Sequence, residues 1–505
     1  MAYSTIYSRA IIGVESPLVE IEVHISNGLP SFQIVGLPDT SVRESRDRVR
    51  SAIINSQLQF PQQRLTVNLS PADIPKEGAR YDLAIAIGIL VASKQIPLST
   101  VVNLEFLGEL GLNGELRTAR AALPSVIAIN RCKRTAILPR ADAMQASILK
   151  NSEVLAADNL LDVFHHLTNK HALQPVNIDA SLIPTAETDS SCLSDVIGQE
   201  QGKRALEIAA AGQHNIMFLG APGTGKSMLA SRLTGLLPEM TEHEAIETAA
   251  INSIAGKSFE AASWKCRPFR APHHTVSGVA LVGGGSIPKP GEISLAQNGV
   301  LFLDELPEYS RKVLDVLREP MESGKVTISR AAHQAEFPAQ FQLVAALNPS
   351  PTGHYTDGRT TREQVLKYLS KISGPMLDRI ELQVEVNNIK PSQLVSHQAG
   401  ETSAKVKRRV TDARFRMLSR AKKPNALLSS KEVLIHCKLS PKQQAFLQNV
   451  IEKLSLSARS YHKVLKVART IADLECSSEI TESHLAEALN YRAMDRLLNY
   501  LTKPY

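Results

Sequence analysis

The stretch NIMFLGAPGTGKSMLASRLTGLL constrains the chain more than any other. An apolar run ends at Gly220, the loop Gly220-Ala221-Pro222-Gly223-Thr224-Gly225-Lys226-Ser227 follows, and helical periodicity resumes. This is GxxxxGK[ST] in the strand–loop–helix setting the motif requires, which fixes at least one α/β domain with a parallel sheet. Glycines let backbone N–H groups turn inward around phosphate oxygens, and the helix N-terminus adds its dipole. Lys226 is expected to reach the β- and γ-phosphates of ATP, and Ser227 to ligate Mg²⁺.

Two later stretches belong with it. NGVLFLDELPEY is a buried-strand run ending in Asp304-Glu305. Asp304 is expected to hold the Mg²⁺ water shell and Glu305 to polarise the attacking water. The run FQLVAALNP delivers Asn348 at the end of a third strand, where its amide can orient that water. The competing reading, an acidic pair that merely caps a strand, does not explain this order behind a phosphate loop.

The rest divides into blocks. Residues 1–168 mix strand-like runs such as LVEIEVHIS with helical ones such as YDLAIAIGILVAS. Residues 169–192 are polar and aperiodic, a linker. Residues 193–385 alternate short strands with helices, and residues 386–505 are mostly helical in period. The last block carries 21 Lys and Arg against 10 Asp and Glu, more than the whole chain's net +7. A basic segment points to a polyanion, nucleic acid first; a solvated helical surface explains the charge equally well. The five cysteines form no CxxC pair, and no run is long enough to span a bilayer. With no signal-peptide pattern at the start, a reduced cytoplasmic protein without a membrane anchor is expected.

Together, GAPGTGKS, FLDE, ALNP and DVIGQEQGKRALEIAAAG resemble AAA+ ATPases. The stretches RPFRAPHHTVSGVALVGGG, PGEISLAQNGVLFLDELPEY, VLREPMESGKVTISRA and ISGPMLDRIELQVEV resemble the magnesium-chelatase-like branch. With the N-terminal block, the likeness extends to the bacterial competence-protein ComM group. The resemblance implies an AAA+ core at 193–385, a basic helical lid at 386–505, and an adenine-covering segment at Ile197. It makes Arg379 an arginine finger reaching a neighbouring subunit's γ-phosphate, a role suited to a permanently charged bidentate fork. It makes Arg459 a second sensor acting in cis, with Arg469 as the weaker candidate. It places Lys325 and Arg330 on a pore hairpin tracking a phosphate backbone, with a second inserted loop at 268–285. The His273-His274 pair lacks the HExxH spacing of a zinc enzyme. Many relatives carry a cysteine cluster after the Asn-Pro, and NPSPTGHYTDGRTTREQ has none.

Residues 1–168 resemble the S5-type proteolytic domain of Lon. The turn in LTVNLSPADIPKEGARYDLAIAIGIL puts Arg80 where that family has its serine, or Tyr81 if the frame slips by one. FLGELGLNGELRTARAALPSV puts Ala122 or a neighbouring alanine where it has its lysine. Arginine cannot be the nucleophile and alanine cannot take a proton, so the dyad is absent and the domain is expected to be a scaffold. The resemblance implies an ATP-driven hexameric DNA motor. It would be a helicase or branch-migration enzyme acting on single-stranded or branched DNA, beside recombination proteins, in natural transformation. The alternative is a chelatase-type subunit remodelling a protein partner. An ATP-dependent protease and a non-hydrolysing nucleotide-binding module fit the residues less well.

Overall fold

A computed structural model describes residues 2–150, 152–176, 192–257, 260–285, 288–329, 334–353, 360–388, 400–453 and 458–502. Most of the expected linker, Arg330 and the segment 354–359 lie outside them. The chain divides into two compact units. One comprises Met1–Thr185 with Ile246–Trp264 and Ser329–Glu336; the other comprises Ala186–Ala245, Lys265–Ile328 and Phe337–Tyr505.

The first unit is built on a seven-stranded mixed sheet. Its strand order is Ser31–Val35, Arg64–Ser70, Leu18–Ser26, Ala2–Arg9, Leu104–Phe106, Thr135–Pro139, Val154–Ala157. Leu18–Ser26 alternates buried and half-buried residues along its length, as a strand with one covered face must. The cover is the helix Asp82–Ala92, buried at every position. Its apolar residues surround it without a polar stripe, which marks a helix enclosed on all sides. Gly88 lets it approach the sheet, because a Cβ there would lie 2.6 Å from Val23 Cγ2. Excursions from the other block join this unit, for example where Arg120 donates to the Ile254 carbonyl at 2.9 Å.

The second unit has a five-stranded sheet, ordered Phe269–Arg270, Val300–Leu303, Gln342–Leu347, Ile216–Leu219, Leu382–Glu385, with every pairing parallel. Strands buried on both faces read as unbroken apolar runs, and Val300–Leu303 and Ile216–Leu219 do so. Helices Glu200–Gly212 and Lys226–Leu236 pack here, together with the long basic helix Ser403–Ala421. That last helix sends Val406, Val410, Ala413 and Met417 into the same apolar core as Leu206, Leu229 and Leu233. Residues beyond 386 therefore share a core with the sheet rather than forming a separate one.

Candidate nucleotide site

Sheet order explains the site. The strand leading into the phosphate loop lies next to the one ending at Leu347, which in turn lies next to the one ending at Leu303. Parallel strands present their carboxyl ends on one edge, where ligands bind in open α/β sheets. The phosphate loop, Asn348 and Asp304 thus emerge side by side although far apart in sequence.

The contacts follow. Lys226 Nζ donates to the Gly220 and Ala221 carbonyls, each at 2.8 Å, and to Asn348 Oδ1 at 3.0 Å. Burial lowers its pKa, against the opposing pull of Asp304 and Glu305. Ser227 Oγ donates to Asp304 Oδ2 at 2.8 Å, and Thr224 Oγ1 closes the loop on the Ala221 carbonyl at 2.9 Å. Gly225, at φ 91°, is the N-cap of Lys226–Leu236, and a side chain there would be strained. Gly220 is required for a different reason: a Cβ would lie 2.3 Å from the Val386 carbonyl oxygen. Pro222 lies against Gly353, where a Cβ would come within 2.6 Å of its Cδ.

Glu305 sits in the left-handed region at φ 50°, uncommon for a side chain of its size and often seen at functional turns. Its backbone N–H donates to Asp304 Oδ1 at 2.9 Å, while its half-exposed carboxylate lies 3.4 Å from His274 Nδ1. The His273 and His274 rings lie 4.0 Å apart, tilted by 35°, and Tyr309 donates to the Pro272 carbonyl at 2.6 Å. Nothing in the linear sequence pointed to the His274 contact, because the two segments meet only in the fold. Among the described residues no group of three or more His, Cys, Asp and Glu could hold a metal ion. The Ser227–Asp304 oxygen pair nevertheless fits Mg²⁺, which takes one or two protein oxygens and completes its shell with phosphates and water.

Ile197 is half-buried, and Gln199 two residues on ties its segment to the loop. Gln199 Nε2 donates to the Thr224 carbonyl at 3.2 Å and to the Asn387 carbonyl at 2.7 Å.

Arg379 lies elsewhere. It precedes Leu382–Glu385, whose first residue pairs with Ile216, so it stands at the amino edge of the sheet. The four-residue strand separates it from the phosphate-loop edge by about 13 Å at ~3.3 Å per residue. Its guanidinium donates to the Pro375 carbonyl at 2.6 Å and pairs with Glu322, not with Asp378 or Glu381 beside it in sequence. Arg459 begins the helix Ala458–Leu474, but its side chain lies outside the description. Its neighbour Ser460 accepts from Arg492, and Lys463 lies in the field of Glu381 and Asp378. Those neighbours cluster near Arg379's edge of the sheet.

Arg469, the weaker second-sensor candidate, is buried; it donates to Asp473 at 3.0 Å and to the Ser477 and Ser478 carbonyls. These donors are spent at the end of the helix Ala458–Leu474. Several C-terminal cations are also paired within the fold. Arg409 pairs with Glu207 and Glu401, Arg420 with Asp473 and Arg492 with Asp495, while Arg414 donates to the Ala210 and Ala211 carbonyls. Exposed cations do remain, among them Lys405, Arg408 and Lys422. Lys325 is exposed at the start of the hairpin Lys325–Ser329/Gln334–Pro338.

Comparison with known proteins completes the picture. Family profiles described as "Magnesium chelatase, subunit ChlI", "Subunit ChlI of Mg-chelatase" and "Magnesium chelatase, subunit ChlI C-terminal" match residues 192–394, 21–142 and 400–492. The chain is 53% identical to Competence protein ComM of Haemophilus influenzae, across 99% of its own length and 100% of that protein's. This chain belongs to the magnesium-chelatase family of AAA+ proteins. It is also 50% identical to the uncharacterized protein YifB of Salmonella typhimurium over 100% of this chain and 99% of YifB. A weaker likeness, 22% identity over 62% of this chain and 36% of the relative, links this AAA+ member to the maternal DNA replication licensing factor mcm6 of Xenopus tropicalis. Among the described residues no helix is long and apolar enough to cross a membrane.

Proposed function

We propose that this protein is an ATP-hydrolysing DNA motor that works as a ring, most simply a hexamer. It moves single-stranded or branched DNA during recombination of incoming strands, alongside recombination proteins in the cytoplasm. The observation that carries the reading is the convergence of Lys226, Ser227, Asp304, Glu305 and Asn348 at one sheet edge. Lys226 exchanges a carbonyl or Asn348 for phosphate oxygens, and the loop N–H groups hold the phosphate chain. Mg²⁺ held by Ser227 and Asp304 would neutralise charge on the transferring phosphoryl group. Glu305 orients and deprotonates the attacking water, and Asn348, which accepts from Lys226, helps to orient it. Arg379, on the wrong edge for its own loop, serves the next subunit; Arg459 is proposed as the second sensor. The block 1–168 is a Lon-like scaffold, 169–192 a linker, 193–385 the ATPase core and 386–505 the lid.

The DNA reading draws support from the relatives' names, a competence protein at full length and a replication licensing factor more distantly. The hairpin beginning at Lys325, with Arg330 outside the described residues, supplies a place to track phosphates. The test is ATP hydrolysis by the purified chain with no DNA, single strands, duplex and a four-way junction. Stimulation by DNA, with strand separation or junction movement lost in Glu305→Gln, supports the motor. Hydrolysis indifferent to every DNA turns the reading to chelatase-type remodelling of a protein partner.

A further inference from the structure

The phosphate loop is loose at its centre. Gly223 and Gly225 stand at φ 80° and 91° on either side of Thr224, and a Cβ on either would meet nothing within 4 Å. Two glycines in open space let the peptide plane between Thr224 and Gly225 turn over at little cost. A trans peptide points its C=O and N–H in opposite directions. Whatever holds the Thr224 carbonyl away from the cradle therefore turns the Gly225 N–H into it, as phosphate binding requires.

Gln199 holds that carbonyl. Its Nε2 donates to the Thr224 carbonyl at 3.2 Å and to the Asn387 carbonyl at 2.7 Å, so both N–H bonds of one amide are spent on main chain. Asn387 follows the strand Leu382–Glu385, and next to it Val386 N donates at 2.7 Å to the carbonyl of Leu219, in the strand leading into the loop. The second carbonyl is thus a fixed post. The segment that brings Gln199 is fixed as well: Leu193 and Val196 are buried in the core, and Leu193 N donates to Ser403 Oγ at 2.7 Å.

The backbone at Gln199 is unusual for its residue type. It adopts the left-handed region at φ 55°, directly after Gly198 at φ 62°. That conformation favours glycine, and a larger residue held in it tends to mark a functional position. Gln199 is the N-cap of Glu200–Gly212, yet its side chain makes no cap bond to that helix. The amide serves the loop instead.

We infer that Gln199 is a positioning residue for nucleotide binding: its amide clamps the Thr224 peptide to the end of the neighbouring strand, so that the Gly225 N–H faces the phosphates. The inference rests on the nucleotide reading of the loop, and on neither DNA nor the ring. In this role Gln199 touches no phosphate; it shapes a cradle that grips ground state and transition state alike. Its loss should weaken binding and leave turnover at saturation nearly unchanged.

The experiment compares the wild type with Gln199→Met and Gln199→Glu in the full chain, below the unfolding temperature of each. Calorimetric titration with ADP and Mg²⁺ reads affinity, and steady-state ATP hydrolysis reads KM and kcat. Methionine keeps the length and loses both donors without adding charge; glutamate keeps the shape and sets a carboxylate against two carbonyls. The expected result is a rise in the ADP Kd and in KM of about fivefold or more with both variants, larger for glutamate, with kcat within about twofold. Unchanged affinity in Gln199→Met overturns the role even where Gln199→Glu loses binding, because charge alone then explains that loss. A kcat that falls as far as the affinity does, or falls at unchanged KM, overturns it as well. Should Gln199→Met fail to fold, Gln199→Asn decides by the same readings, since asparagine suits the left-handed backbone but leaves the amide one carbon short. A wild type that binds no ADP removes the nucleotide reading itself, and this role with it.

Discussion

At the residue scale the chemistry rests on a few atoms whose neighbours are now known. Glu305 is held out of regular structure at φ 50°, with one oxygen near His274 and its backbone tied to Asp304. In the proposed role it acts as a base rather than as a binding contact, so Glu305→Gln is expected to retain ATP and lose turnover by about 10²–10⁴-fold. Calorimetric titration with ATP and a phosphate-release assay check the two halves; loss of binding together with turnover would contradict the role. Lys226→Ala should instead lose binding itself, because in the proposed site its ammonium meets the phosphates. That these side chains would converge was legible in the sequence, because each stands at a strand end or a short spacing from one. The His274 contact was not, since nothing in a linear string says which loop crosses the end of the Val300–Leu303 strand. Arg80 was legible as an unsuitable nucleophile, but its burial was not.

Elements explain what charge counting could not. The C-terminal segment reads as strongly basic, yet its arginines mostly turn inward to carboxylates and helix-end carbonyls, because sequence records charge and not partners. The apolar periodicities were easier: the helix over Asp82–Ala92 and the strand before Asn348 stand where the pattern puts them. One junction escaped altogether. His214, just before the phosphate-loop strand, is fully buried, with Nε2 2.8 Å from Thr470 Oγ1 on the helix Ala458–Leu474. Burial pushes its pKa down from 6.5 to about 3, with Lys466 and Arg414 adding to the effect. The unfolded chain therefore binds a proton that the folded one refuses. The stability this group contributes is complete above pH 6.5 and is lost as pH falls from there towards 3, by about 1.4 kcal/mol per unit. Urea midpoints at pH 7.5 and 5.5 should show the wild type losing about 1 kcal/mol more than His214→Gln; equal losses would refute the assignment. The same junction predicts that Gly212→Ala is strongly destabilising, since its Cβ would lie 2.3 Å from His214 Cδ2 and 2.7 Å from Thr470 Oγ1. A lowered melting temperature would register this.

For the whole molecule the decisive fact is that one chain carries two incompatible edges of the same sheet. The phosphate loop leaves the carboxyl edge and Arg379 stands at the amino edge, paired with Glu322. No side-chain rotation brings that guanidinium to its own Lys226. In the proposed ring a heterologous, head-to-tail interface would do so, by setting the amino edge of one copy against the loop edge of the next. Arg379→Ala alone should bind ATP and hydrolyse almost none. Mixing it with Lys226→Ala separates the two arrangements. Each variant is inactive by itself, but in a mixed ring an intact loop from one can meet an intact finger from the other. Random assembly of equal amounts makes about one site in four complete, and hydrolysis should recover to about that fraction of the wild-type rate. Were Arg379 to act within its own chain, every subunit would still lack one of the two groups and mixing would restore nothing. The recovered rate, read with DNA present and after the two variants have exchanged subunits, therefore reports the ring and the finger in one measurement.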